Sequence, residues 1–264
     1  MQLHEREAAR AVVPEGTTAG LRDRIMEALD TVMDPELDES VAAMGFIESL
    51  SVEGGCAEVV FRLPTFWCSA NFAFLMATDM RCAIERLPDI STARITLVDH
   101  FAARRINRGV AGGFGFAEVF AGEAETNLTE IRRAFLERAL MGRQERLLRS
   151  LVADRGIASA LATTMAGLEA LADADDPELR LPALRYIALR RHEAGGENPM
   201  APAFVDTAGL PVSSEGYVAH LRALRRVRGA AEANAEMCRI YLEARIASPV
   251  PGCEPENRQD EPDE

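Results

Sequence analysis

The sequence predicts an α+β protein, in which a small α/β domain of order α-β-β-α-β is followed by an all-α helical extension. Three observations carry that prediction. From Cys56 to Leu63 apolar and polar residues alternate, the period of a half-buried strand. The apolar period lengthens to that of a helix in 19–33 and again in 69–87. Past residue 125 the helical period persists almost throughout, broken only by Gly, Pro and Asp punctuation.

The elements follow in order. In 19–33 (AGLRDRIMEALDTVM), Leu21, Ile25, Leu29 and Val32 share one helical face. Phe46–Val52 reads as a strand and Glu53–Gly55 (EGG) as a turn. The strand Cys56–Leu63 then turns Ala57, Val59, Phe61 and Leu63 to one side, with Glu58 and Arg62 on the other. Ser69–Leu87 reads as a helix with Phe72, Met76, Met80, Ile84 and Leu87 on one side, stopped by Pro88-Asp89, and Ala93–Val98 as a third strand. A helix crossing between two strands of one sheet makes them parallel, so strands 56–63 and 93–98 point the same way. The glycines of GVAGGFGF (Gly109–Phe116) miss the GxGxxG spacing and read as a flexible connection. Helices are expected at 128–153, 157–172, 177–193 and 215–247. The connection 194–214 is too long to be idle in a compact bundle, and it reads equally as a docking loop or a floppy one. The expected organisation is a flexible N-terminus (1–18), an α/β domain (19–105), a connection (106–125), a helical domain (126–247) and a disordered acidic tail (248–264).

Composition removes several functions. All 29 basic residues are arginines, so Schiff-base chemistry, a lysine nucleophile and a GxxxxGK[ST] phosphate loop are excluded. Net charge is −13, and residues 254–264 alone carry six acids against one Arg, so nucleic acid is not an expected partner. No apolar run is long enough for a membrane span. The opening MQLHEREAARAVVPEG is charged and has no apolar h-region, which predicts a cytoplasmic protein without a secretory signal. Five widely spaced cysteines without a CxxC pair argue against a disulfide framework. No catalytic triad or metal-spaced His cluster is present, so the expectation is not an enzyme.

Chemistry is expected where the parallel strands end, because open α/β sheets bind ligands at that edge. The loop Pro64–Ser69 (PTFWCS) leaves one strand there and Asp99–Phe101 leaves the other. Cys68 falls at the start of a helix, where unpaired backbone N–H groups and the helix dipole lower a thiol's pKa. A small residue buried under Phe66 and Trp67 is the plain alternative. Cys82 lies about 21 Å further along the helix and cannot share that site. Cys56 starts its strand at the opposite end, and Cys238 and Cys253, in the helical half and the tail, read as inert. A metal at Cys68 therefore needs Asp, Glu or His help, water, or a second subunit. His100 falls on the same edge, which raises it above His4, His192 and His220. The arginine cluster Arg222–Arg228 reads as a solvated helix face able to pair with a partner's acids.

The string DPEL occurs twice. At Asp176–Leu179 it reads as a helix start, with Asp176 as N-cap, Pro177 at the first helical position, and Leu181, Leu184, Ile187 and Ala188 following at helical period. At Asp34–Leu37 it follows a helix and leads through Ser40–Ile47 into a strand, leaving its acids in a loop.

That first DPEL, then SVAAMGFI, a hairpin, and PTFWCS opening a helix resemble the PaaD/SufT-like metal–sulfur cluster assembly domain over Leu21–Val98. The resemblance maps its Asp-Pro-Glu onto Asp34, Pro35 and Glu36, its Thr and Cys onto Thr65 and Cys68, and its segment before the hairpin onto Ser40–Ile47. Ala43 stands where that segment usually has an acid, Ser69 follows the cysteine where many members have Pro, and DHFAARRINRGV replaces a Pro-rich stretch. The helical extension is similar to that of members associated with soluble diiron monooxygenases. The resemblance implies an assembly or maturation factor that holds iron or an iron–sulfur cluster transiently. Its implied binding residues are Cys68, Glu36, Asp34 and Thr65, with Cys68, Glu36 and His100 as metal ligands. The implied partner is a client metalloprotein, and a homodimer sharing a site stays open. The alternative is a chaperone or adaptor that binds the client without carrying metal.

Overall fold

The computed structural model describes residues 15–122, 128–173, 177–193 and 197–247. Its first part is the expected α-β-β-α-β unit: α1 (Glu15–Asp30), β1 (Ile47–Glu53), β2 (Cys56–Arg62), α2 (Ala70–Glu85) and β3 (Thr92–Val98). The sheet order is β1-β2-β3. β1 and β2 form an antiparallel hairpin whose turn places Gly54 and Gly55 at φ of +58° and +80°, a region that residues with a Cβ rarely adopt. β2 and β3 run parallel, in register from Cys56 opposite Thr92 to Arg62 opposite Val98. One face of the sheet buries Ala57, Val59, Phe61, Ala93, Ile95 and Leu97 against Ile25 and Leu29 of α1 and Met76, Met80 and Ile84 of α2. The other face is wet and carries the Arg94–Glu58 ion pair at 3.3 Å.

The stretch read as a flexible connection is helical instead. α3 (Ala103–Gly112) and the single turn α4 (Phe116–Val119) fold back on the sheet and on α2. α3 buries Ile106, Gly109 and Val110. Gly109 is there for closeness rather than for flexibility: a Cβ at that position would meet Val119 Cγ2 at 2.3 Å and Phe74 at 3.2 Å. Asn107 pairs through its amide with both backbone groups of Leu97, at 2.8 and 2.9 Å, standing in for a neighbouring strand at the edge of β3.

The second part holds α5 (Leu128–Arg155), α6 (Ile157–Leu161), α7 (Met165–Ala172), α8 (Pro177–Glu193) and α9 (Tyr217–Ala247). The single helix expected at 157–172 is broken at Ala162–Thr164, because Thr164 accepts the Gly167 N–H as an N-cap and starts a new helix. Pro177 opens α8 as expected, while Asp176 lies outside the described residues. Leu147, Leu148, Leu151, Met165, Leu168, Tyr186 and Phe204 form a second core. From residue 197 the long connection is packed rather than floppy: Ala203 and Phe204 are buried in that core. Buried Gln144 holds it by donating to Val205 O (2.9 Å) and accepting from Val205 N–H (3.2 Å).

α9 joins the two cores. Its start puts Tyr217 and Leu221 into the second, and its end puts Ala235 and Leu242 into the first. The arginine cluster on α9 finds its acids within the chain, Arg225 and Arg228 both pairing with Glu145, which is 1% exposed. Among the described residues no helix is long and apolar enough to cross a membrane.

Candidate functional site

The parallel register brings the C-terminal ends of β2 and β3 side by side, so the loops Pro64–Ser69 and Asp99–Ala102 leave from one edge. The Phe101 N–H donates to Phe66 O at 3.1 Å and ties the loops together. Cys68 lies here, half-buried, one residue before Ser69, the N-cap of α2. A turn closes over Thr65–Cys68 through Cys68 N–H to Thr65 O at 3.4 Å, and it sets Thr65 Oγ1 3.1 Å from Cys68 Sγ. The Thr and Cys to which the resemblance points are therefore in direct contact.

His100 is brought to the site, but as a brace. It is buried, its Nδ1 accepts the Ala102 N–H at 3.2 Å, and its Nε2 lies 2.7 Å from Cys68 O. With Nδ1 accepting, Nε2 carries the proton and donates to the Cys68 carbonyl. Both ring nitrogens are engaged, so as placed His100 positions the cysteine loop and offers no lone pair to a metal. Burial lowers its pKa, the Cys68 hydrogen bond raises it, and nearby Arg245 lowers it further.

The first DPEL forms a tight loop after α1. Asp34 Oδ1 accepts the N–H groups of Glu36 (2.8 Å) and Leu37 (3.0 Å). Burial pushes the Asp34 carboxyl up to about 6, against those hydrogen bonds and helped by the charge of Glu36. Asp38, at φ +53°, is gripped by Arg143 of α5 through both carboxylate oxygens, at 2.8 and 2.5 Å. Glu36 is exposed and receives Asn234 Nδ2 of α9 at 3.4 Å. Asp34 is thus the loop's internal brace, and Glu36 is the acid left free to meet solvent.

The helical extension takes part in the site, which the sequence did not show. Arg245 of α9 donates to Leu63 O at 2.9 Å and to Asp99 O at 2.5 Å, clamping the ends of β2 and β3. Cys238, read from sequence as inert, packs against the same core as Cys68. Burial pushes its thiol up to about 11, and the charges of Asp34, Cys68 and Glu36 push in the same direction. Cys82 is exposed on α2. Two cavities lie nearby without reaching Cys68. One of about 660 Å³ runs between α2, α5 and α8, and one of about 300 Å³ lies beside Glu36 under Arg138, Arg146 and Arg228.

Around Cys68 the surface is aromatic. Trp67 is 75% exposed, Phe101 58% and Phe66 46%, with the two phenylalanine rings 6.4 Å apart. Exposed aromatic side chains clustered in this way are a feature of contact surfaces.

No curated protein and no solved structure matches the chain. Residues 22–97, under a third of the chain, match the family model described as iron-sulfur cluster assembly protein, and that segment holds Asp34, Glu36, Thr65 and Cys68.

Proposed function

We propose that the protein is a non-catalytic cytoplasmic maturation factor that carries iron or an iron–sulfur cluster transiently on Cys68 and passes it to a client metalloprotein. The carrying observation is the half-buried thiol at the strand-end edge, with Thr65 on its sulfur and His100 on its carbonyl, inside the segment that matches a cluster-assembly family. Among the described residues no three His, Cys, Asp or Glu side chains stand arranged to hold a metal ion. Cargo held at Cys68 is therefore gripped by few protein ligands, which suits a carrier that must let go. Glu36 supplies an oxygen near the site, and Phe66, Trp67 and Phe101 supply the surface a client would cover. The sequence resemblance makes a diiron monooxygenase hydroxylase the first client to test.

The exposed aromatic trio also favours a second reading, an adaptor that grips its client through Trp67 and carries no metal. Iron content of the client produced with each variant separates the two. Under the carrier reading, Cys68→Ser abolishes client metallation while the variant stays folded. Under the adaptor reading, Trp67→Ala abolishes it, and both Cys68→Ser and Glu36→Gln leave it unchanged.

A further inference from the structure

Three helices turn apolar side chains toward one cavity without closing on it. Leu75 of α2, Phe135 and Leu136 of α5, and Leu181, Leu184 and Leu189 of α8 line the space of about 660 Å³ between them, and none of these packs into either hydrophobic core. Leu181 and Leu184 stay 53% and 46% exposed. Apolar side chains gathered on a concave wall mark a ligand site, and the volume falls in the range such sites have. Along α2 the wall runs from Leu75 to Arg86, the C-cap, a length of about 16 Å that admits an extended chain. The charged groups on the same wall are matched in all but one case. Arg132 holds Asp79 through both carboxylate oxygens at 2.7 Å, Arg143 holds Asp38 in the same way at 2.8 and 2.5 Å, and Arg185 lies 3.7 Å from Asp30. These pairs tie α2, the end of α1 and the loop after it to α5 and α8, which fixes the spacing of the walls. Asp34 spends Oδ1 on its own loop. Arg86 is left over, exposed at the end of α2, with no acid paired to its guanidinium among the described residues.

We propose that this cavity is a binding site for a linear aliphatic carboxylate, with the chain along the leucine-lined wall and the carboxylate on Arg86. A guanidinium takes a carboxylate in a fork of two hydrogen bonds, which fixes the head group. The apolar wall takes the chain out of water, at about 0.8 kcal/mol for each methylene buried. Three of the four wall arginines are already committed to aspartates, so the site has one charge to offer and selects a ligand with one carboxylate. Cys68 is not part of the wall, and the inference stands whether or not that thiol carries metal. A bound carboxylate fills the space between α2 and the helical extension and stabilises the folded chain by mass action.

The test is isothermal titration calorimetry of the full chain with decanoate, below its micelle concentration, against decyltrimethylammonium, which has the same tail and the opposite head. Wild type takes up decanoate saturably, and at least about tenfold more tightly than the cation. Arg86→Gln loses that preference. Leu184→Glu puts a charge on the apolar wall and weakens decanoate at least about tenfold. Both side chains are exposed, so neither change removes a core contact. The inference is overturned if wild type shows no saturable decanoate binding, takes both amphiphiles equally, or binds as before in either variant. A cleft that receives a client helix instead predicts no decanoate binding and loss of client metallation in Leu184→Glu, which overturns it too. If a variant fails to fold by circular dichroism, the exposed thiol of Cys82 on the same wall decides in the wild-type chain. Decanoate slows alkylation of Cys82 and leaves that of Cys56 unchanged, whereas an unchanged rate at Cys82 overturns the inference.

Discussion

At the residue scale, Asp34 shows how a short motif can be legible while its role is not. The sequence places DPEL in a loop, and the loop is there. The carboxyl, however, is 8% exposed and spends Oδ1 on two backbone N–H groups, so its first task is to fold the loop. Its folded pKa of about 6 stands above the ordinary 3.8. Above pH 6 the buried charge opposes folding in full, by roughly 3 kcal/mol from the size of the shift. As pH falls from 6 toward 3.8 the folded state takes up the proton first and that opposition fades. Asp34→Asn keeps an acceptor at Oδ1 and removes the charge. In metal-free protein it is expected to be as stable as wild type or more so at pH 8, and to lose this acid-side gain. Urea unfolding at pH 8 and pH 5 measures both, and a variant several kcal/mol less stable at pH 8 would contradict it. The loop that carries Thr65 and Cys68 was legible because it is written in contiguous residues. Arg245 was not, because its hold on Leu63 O spans 182 residues and is set only by how α9 packs.

At the element scale, alternation and the helix period located the hairpin, the crossover and the parallel pair, since each is written in contiguous residues. α3 was missed because a run of glycines reads as a breaker, whereas Gly109 is held helical by Val119 and Phe74 closing on it. This gives a prediction whose sign opposes helix propensity. Gly109→Ala improves intrinsic propensity by up to about 1 kcal/mol. Its Cβ would nevertheless meet the stiff, β-branched Val119 at 2.3 Å, so the variant should be less stable by about 1–3 kcal/mol. A denaturation midpoint at or above wild type would show that α4 yields freely. Arg245 makes the complementary case at the end of α9. Arg245→Ala removes the donors to Leu63 O and Asp99 O and is expected to cost about 1–3 kcal/mol. Hydrogen exchange should quicken in 64–69 and 99–102. Unchanged protection there would mean that the clamp does not hold the cysteine loop.

At the scale of the whole molecule, the sequence divided the chain by period, whereas packing joins the parts through α9, which seats residues in both hydrophobic cores. A chain ended at residue 214 should therefore expose both cores and bind a hydrophobic dye, where the full chain does not. A well-folded, dye-silent product would show that the α/β unit completes its own core. The shared helix also gives the proposed carrier its logic: the matched segment supplies Cys68, and the extension holds the ends of β2 and β3 with Arg245. The most direct measurement is the iron content of the purified full chain after anaerobic loading with iron(II) and sulfide, comparing wild type with Cys68→Ser and monitoring folding alongside. The carrier account predicts iron retained on the wild type through desalting and lost from the folded variant. Equal iron in the two, or none in either, would contradict it.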